Sequence, residues 1–135
     1  MSAAIKSEIA DAINEVRLSF SGHQVDIEPD NLGGAFVRVH EVDLGPVYKP
    51  FSTWIGFQIT FQYPFADVYP HYIRPDIVRA DGQAFVPPFH LSHTFALPSG
   101  GVNAVMVSRR SNHRDPITDT AVVKLAKVLD WIRSR

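Results

Sequence analysis

The side chains with chemistry to offer lie mostly in the second half of the chain. His90-Leu91-Ser92-His93 sets two imidazoles three residues apart, and His113 follows. Neutral imidazoles at such spacing bind zinc when a third ligand joins them, and His71, Asp76 and Asp81 are available for that place. No His-Glu-x-x-His helix or similar spacing accompanies them, so no metal is expected. Ser92 beside His93 lacks the Gly-x-Ser-x-Gly elbow of a hydrolase nucleophile. Ser108-Arg109-Arg110-Ser111-Asn112-His113-Arg114 is the basic cluster, with the forked guanidinium chemistry that grips a phosphate or an acidic surface. Gly33-Gly34 and Gly100-Gly101 have no Walker or dinucleotide context and read as turns, so no cofactor is expected. Cysteine is absent, which excludes disulfides, thiolate metal sites and a cysteine nucleophile and fits a cytoplasmic protein.

These residues need elements to hold them. Ser2 to about Arg17 reads as a helix, with Ile5, Ile9, Ala12, Ile13 and Val16 at three- and four-residue steps and Ser2 as its N-cap. Val25 to Ile27, Ala35 to Val42 and Thr53 to Phe61 read as strands in meander order. In the last of them Ile55, Phe57, Ile59 and Phe61 alternate with Gly56, Gln58 and Thr60. It stops at Tyr63-Pro64-Phe65, with Tyr69-Pro70 close behind, because proline cannot donate to a central ladder. Tyr72 to Arg79 is a fourth strand, pushed to an edge or a bulge by Pro75. Gln83 to Gly101 is loop-rich, and Val102 to Val107 is a short apolar run. Asp115-Pro116 prepares a last helix, capped by Thr118 or Asp119, with Val122, Leu125, Ala126, Leu129 and Ile132 as its stripe. The sum is an α+β fold: N-terminal helix, antiparallel four-stranded meander, loop-rich segment, C-terminal helix.

Composition bounds the function. A length of 135 residues predicts a single domain, 1–135. Apolar residues at 45% and a net charge of −1 are ordinary for a globular protein, without the basic field that nucleic-acid binding requires. No apolar run reaches membrane-spanning length, and no signal-peptide pattern opens the chain, so no membrane contact is expected.

The order of elements, with Tyr63-Pro64-Phe65 after the third strand, resembles the ubiquitin-conjugating enzyme fold, and in particular its diverged prokaryotic members. That family has a His-Pro-Asn triplet, a catalytic cysteine and a Trp-Ser-Pro before the next helix. Arg114-Asp115-Pro116 is the counterpart of the last, and ten residues back from Pro116 stands Met106 in Val105-Met106-Val107. His93-Thr94-Phe95 is the candidate for the histidine triplet. The departures are Met106 in place of the cysteine, and no asparagine or tryptophan in the two triplets.

A thioether forms no thioester, so the resemblance implies a non-catalytic variant rather than a conjugating enzyme. Such variants bind proteins, and the partner implied is a ubiquitin-like protein or an activating protein. Tyr63, Pro64, Phe65, Tyr69 and Pro70 would supply aromatic anchors, with Pro87-Pro88-Phe89 a further source, and Arg109 and Arg110 polar contacts. Met106 otherwise reads as a core residue filling a gap. The alternative is a small metal-dependent or acid–base enzyme using His90, His93 and His113, which requires those rings to converge.

Overall fold

A computed structural model describes residues 4–135. The helix α1 spans Ser7–Ser19, followed by strands β1 (Val25–Pro29), β2 (Ala35–Asp43), β3 (Tyr48–Lys49), β4 (Ser52–Ile59), β5 (His71–Ile73), β6 (Val78–Arg79), β7 (Phe89–Phe95) and β8 (Val102–Val107), and then helix α2 (Ala121–Arg133). Six strands form one antiparallel sheet in the order β1-β2-β4-β5-β8-β7, while β3 and β6 pair in a separate ribbon. The fold is therefore α+β, with a helix at each end of the described chain.

The sheet is larger than a four-stranded meander. The stretch Tyr72 to Arg79 divides: β5 ends at Ile73, short of Pro75, and Val78–Arg79 turns away to pair with Lys49 and Tyr48. A proline cannot continue the ladder, so the division falls where the backbone lacks its donor. The loop-rich segment contains β7. Its middle residues, Leu91 to Thr94, are exposed and only Phe89 and Phe95 are buried, so the strand has no period-two signature. Its register against β8 shifts between His90 and His93, where Ser92 sits at φ 62°, a bulge that bends the strand.

Both helices lay their apolar stripes into one core with one face of the sheet. Ile9, Ala12, Ile13 and Val16 of α1 and Leu125, Val128, Leu129 and Ile132 of α2 join Val37, Val39, Ile55, Phe57, Ile59 and Val107. Helix α1 starts later than Ser2, which lies outside the described residues; Lys6 occupies the cap position and offers no side-chain bond. Lys6 instead donates through Nζ to the Phe61 carbonyl at 3.0 Å. Phe61 lies beyond the end of β4 and is exposed, so the alternation stops at Ile59. Helix α2 is capped by Thr120, whose hydroxyl accepts the Val123 N–H at 3.5 Å. Asp119 belongs to the turn before the helix, where its carboxylate takes the Asp115 N–H at 2.8 Å. Ala126 faces solvent, and Lys124 and Val128 fill the stripe in its place.

The other face of the sheet carries a second cluster. Phe95 lies among Trp54, Tyr72 and Phe36, with ring centroids 6.0, 5.1 and 5.7 Å away. The hairpin tip reaches on to β1, where Ser99 donates through N and Oγ to the Glu28 carboxylate at 2.9 and 2.8 Å. The bulged β7–β8 hairpin thus arches over the sheet. Gly56 makes the arch possible, because a Cβ there would lie 2.5 Å from Phe95 Cε2 and 2.8 Å from Cζ. The variant Gly56→Ala is expected to displace Phe95 and lose about 1–3 kcal/mol. Urea unfolding measures the loss, and Trp54 fluorescence reports the displaced ring. No helix of the described residues is long and apolar enough to cross a membrane.

Candidate functional site

The aromatic-proline loop follows β4 as a series of turns. Tyr63 N–H bonds the Thr60 carbonyl at 2.9 Å, and Phe65 N–H bonds that of Gln62 at 2.9 Å. Tyr63 is buried, and its hydroxyl accepts the Ala121 N–H at 3.2 Å, so it satisfies one of the unpaired amides at the start of α2. It holds the loop against the helix and presents nothing to a partner. Pro64, Tyr69 and Pro70 are half-buried. Phe65 is the projecting residue, 81% exposed.

A buried ion pair clamps this loop to the basic segment. Lys124 projects from the buried stripe of α2 and is only 4% exposed. Its ammonium donates to Asp67 Oδ2 at 2.9 Å, the Arg109 carbonyl at 2.7 Å and Ser111 Oγ at 2.9 Å. Asp67 also accepts the Ser111 N–H at 2.8 Å and its hydroxyl at 3.0 Å, and Arg114 Nε stands 3.7 Å away. Burial raises the Asp67 carboxyl, but the Ser111 N–H and Lys124 outweigh it and hold the group below its ordinary 3.8. Sequence reading missed Asp67 and Lys124. The signal was present: position 124 falls on the apolar stripe, one turn from Ala121 and Val128, where a lysine must find a buried partner.

Ser111 and Lys124 are close enough for a serine–lysine pair, but the protons run the wrong way for nucleophilic catalysis. The ammonium spends its three donors on three acceptors, and the Ser111 hydroxyl donates to a carboxylate. Burial lowers the Lys124 pKa against the pull of Asp67, and with three acceptors around its nitrogen the side chain is placed to donate rather than to take the serine proton. The cluster is a clamp.

Around the clamp, the basic segment contacts the aromatic loop. Arg110 lies over the Tyr69 ring at 4.0 Å. Arg114 donates to the Phe65 carbonyl and to the Asp119 carbonyl, each at 3.3 Å, and so bridges the Phe65 loop to the 115–119 turn. That turn carries Ile117, 85% exposed, which sequence reading also missed because an isolated Ile in a polar turn carries no periodic signal. Comparison with protein-family models, with curated proteins and with solved structures finds no match. What this surface does must then be argued from its own residues.

The other expected site residues are dispersed. Arg109 stacks on Trp131, at 4.7 Å, rather than on Tyr69. Phe89 is buried, so the Pro87-Pro88-Phe89 segment offers no aromatic anchor. Met106 lies in β8 between Tyr72 and His90. It is half-buried and points away from the helix-side face that Val105 and Val107 occupy, so it fills no gap in the main core. His90 and His93 are neighbours, with ring centroids 6.1 Å apart, and His90 Nε2 bonds Ser108 Oγ at 2.9 Å. His113 sits in the basic segment at φ 52°. Among the described residues no three or more His, Asp or Glu side chains form a group able to hold a metal.

His71 is the most buried histidine. It lies in β5 against Phe57, with ring centroids 5.2 Å apart, and neither ring nitrogen has a partner. Burial, then the Lys124 charge, pushes its pKa down to about 3, with Asp67 pulling weakly the other way. The ring is neutral at physiological pH.

Proposed function

We propose that this chain is a non-catalytic protein-binding module of the ubiquitin-conjugating type, acting in a prokaryotic ubiquitin-like modification system. The N-terminal helix, the run β1-β2-β4 and the Tyr63-Pro64-Phe65 triplet in the loop after β4 support the family reading, whereas the six-stranded sheet goes beyond the expected four-stranded meander. With no thiol in the chain and Met106 in mid-ladder, thioester chemistry has no nucleophile. A cytoplasmic site of action belongs to the same reading.

The observation that carries the proposal is that Phe65 and Ile117 are both exposed, on two segments that Arg114 bridges, with the Phe65 loop clamped by Asp67 and Lys124. A large exposed apolar side chain on a mobile loop loses entropy when bound; on a clamped loop that cost is already met by folding. Arg110, extended over Tyr69, adds a cationic rim. An aromatic anchor with an arginine beside it is the composition that binding hot spots favour.

The test is direct binding to the ubiquitin-like and activating proteins of the same genome. The variants Phe65→Ala and Ile117→Ser are each expected to weaken binding about tenfold or more, with folding unchanged, because both side chains sit in solvent. Equal affinity of the wild type and both variants would remove the proposed face.

A further inference from the structure

Two clefts adjoin on the side of the molecule to which Arg109 turns. The larger, about 630 Å³, lies between residues 83–88 and the end of α2, with Arg79, Arg109, Arg135, Phe85, Phe89 and Trp131 among its walls. The smaller, about 230 Å³, lies between residues 109–112 and α2, with Arg110, Asn112, Lys124 and Lys127 on its wall. Arg109 borders both. Neither lining contains an aspartate or a glutamate, although the chain as a whole has a net charge of −1.

Three of the nearby carboxylates are already committed, and a fourth, Asp130, is exposed on α2 beside Trp131. Asp81 takes Arg79 at 2.9 Å, Asp119 takes Lys127 at 2.8 Å, and Asp67 takes Lys124 at 2.9 Å. Among the described residues Arg109, Arg110 and Arg135 have no carboxylate partner. Arg109 and Arg135 are instead held over the Trp131 ring, at 4.7 and 4.9 Å. Trp131 continues into Phe89 and Phe85 through centroid distances of 5.1 and 4.7 Å, an unbroken aromatic wall. The C-terminal carbonyls of α2 would repel an anion. They are occupied: Ile132 O accepts the Tyr48 hydroxyl at 2.7 Å, and Trp131 O accepts the Ser134 hydroxyl at 2.7 Å.

A cleft of the larger one's size belongs to the range of small-molecule sites and exceeds what a bare phosphate fills. The smaller is cationic, and guanidinium forks match phosphate oxygens two at a time. We propose that the paired clefts bind a nucleoside phosphate, with the planar base against Phe85 and the Arg135 guanidinium stacked on Trp131, and the phosphates between Arg109 and Arg110. The site shares Arg110 with the rim of the Phe65 face, and its test needs no protein partner.

Trp131 serves as the reporter once Trp54 is replaced by Phe, leaving one indole in the chain. Full-length protein is titrated with ADP, pyrophosphate, adenosine and a glutamate-rich peptide. ADP is expected to change the Trp131 emission saturably, with a Kd below about 1 mM. Pyrophosphate is expected to bind about tenfold more weakly or less, and adenosine not at all. The variant Arg109→Gln is expected to raise the ADP Kd about tenfold or more, with the circular dichroism spectrum showing that it folds. No saturable response to ADP up to about 10 mM would overturn the proposal. So would an unchanged Kd in Arg109→Gln, or pyrophosphate binding as tightly as ADP. A peptide that binds where ADP does not would assign the clefts to an acidic protein tail instead.

Discussion

Replacing Lys124 by methionine is expected to cost about 3–5 kcal/mol of folding stability, a large share of what holds a domain of this size together. The side chain is almost wholly buried, and its ammonium is shared among Asp67, the Arg109 carbonyl and Ser111. Methionine fills much the same volume but leaves the Asp67 carboxylate facing an apolar group. Ser111 still donates two hydrogen bonds to it and Arg114 stays 3.7 Å away, so the loss should fall near the lower end of the range. The double variant Asp67→Leu with Lys124→Met removes both charges and is expected to recover most of the loss, because the large cost of a broken pair is the stranded charge. Urea denaturation of the single and double variants measures both numbers. A Lys124→Met variant within about 1 kcal/mol of wild type would mean that the clamp does not hold the Phe65 loop. The pH dependence has a defined sign. Asp67 has a lowered pKa when folded, so its contribution is present above the ordinary aspartate value and is lost as pH falls through the lower folded value.

His71 makes the protein acid-labile over a higher range. Folded, the ring resists protonation down to about pH 3, because burial and then the Lys124 charge oppose the imidazolium. Unfolded, it titrates near its ordinary 6.5. Between those values the unfolded chain binds the extra proton, so stability rises with pH and is lost on acidification from about 6.5 downward. The linkage amounts to about 2 kcal/mol at pH 5 and about 3 kcal/mol at pH 4, relative to a chain without the group. The variant His71→Leu is expected to remove that dependence. At pH 7 it should be neutral or stabilising, since two unpaired ring nitrogens leave the interior. Unfolding free energies of wild type and variant at pH 7, 5 and 4 should diverge as pH falls. Parallel curves would show that the ring is hydrated or partnered.

What was legible in the chain, and what was not, follows from how each element is buried. Strands β1, β2 and β4 alternate between apolar residues facing the helices and residues of the other face, and each helix has an apolar stripe, so their periods can be read directly. Strand β7 is an edge strand with a bulge and five partly or fully exposed residues, so no period marks it. The fourth strand was read through Pro75 as continuous, although the missing donor divides it between two sheets. Gly56 read only as a member of an alternating strand; the Phe95 ring that needs its missing Cβ comes from far along the chain.

The site was legible in part for a similar reason. Tyr63-Pro64-Phe65 and the arginine cluster stand out by type, and folding brings Arg114 to the Phe65 carbonyl and Arg110 over the Tyr69 ring. Type alone does not separate Tyr63, which braces α2, from Phe65, which projects. Nor does it reveal that Arg109 and Arg110, adjacent in sequence, stack on different rings. The contact of Asp67 with Lys124 joins residues 57 apart, which only the fold can bring together.

On the proposed reading, Phe65 and Ile117 mark a docking face for a ubiquitin-like or activating protein. An amide chemical-shift titration of the labelled chain with those proteins, taken from its own genome, tests it most directly. The result predicted is a contiguous set of shifts over residues 61–70 and 109–119, absent in Phe65→Ala. Shifts confined to the β7–β8 hairpin or to β1, or no shifts at saturating concentrations of every such protein, would contradict it.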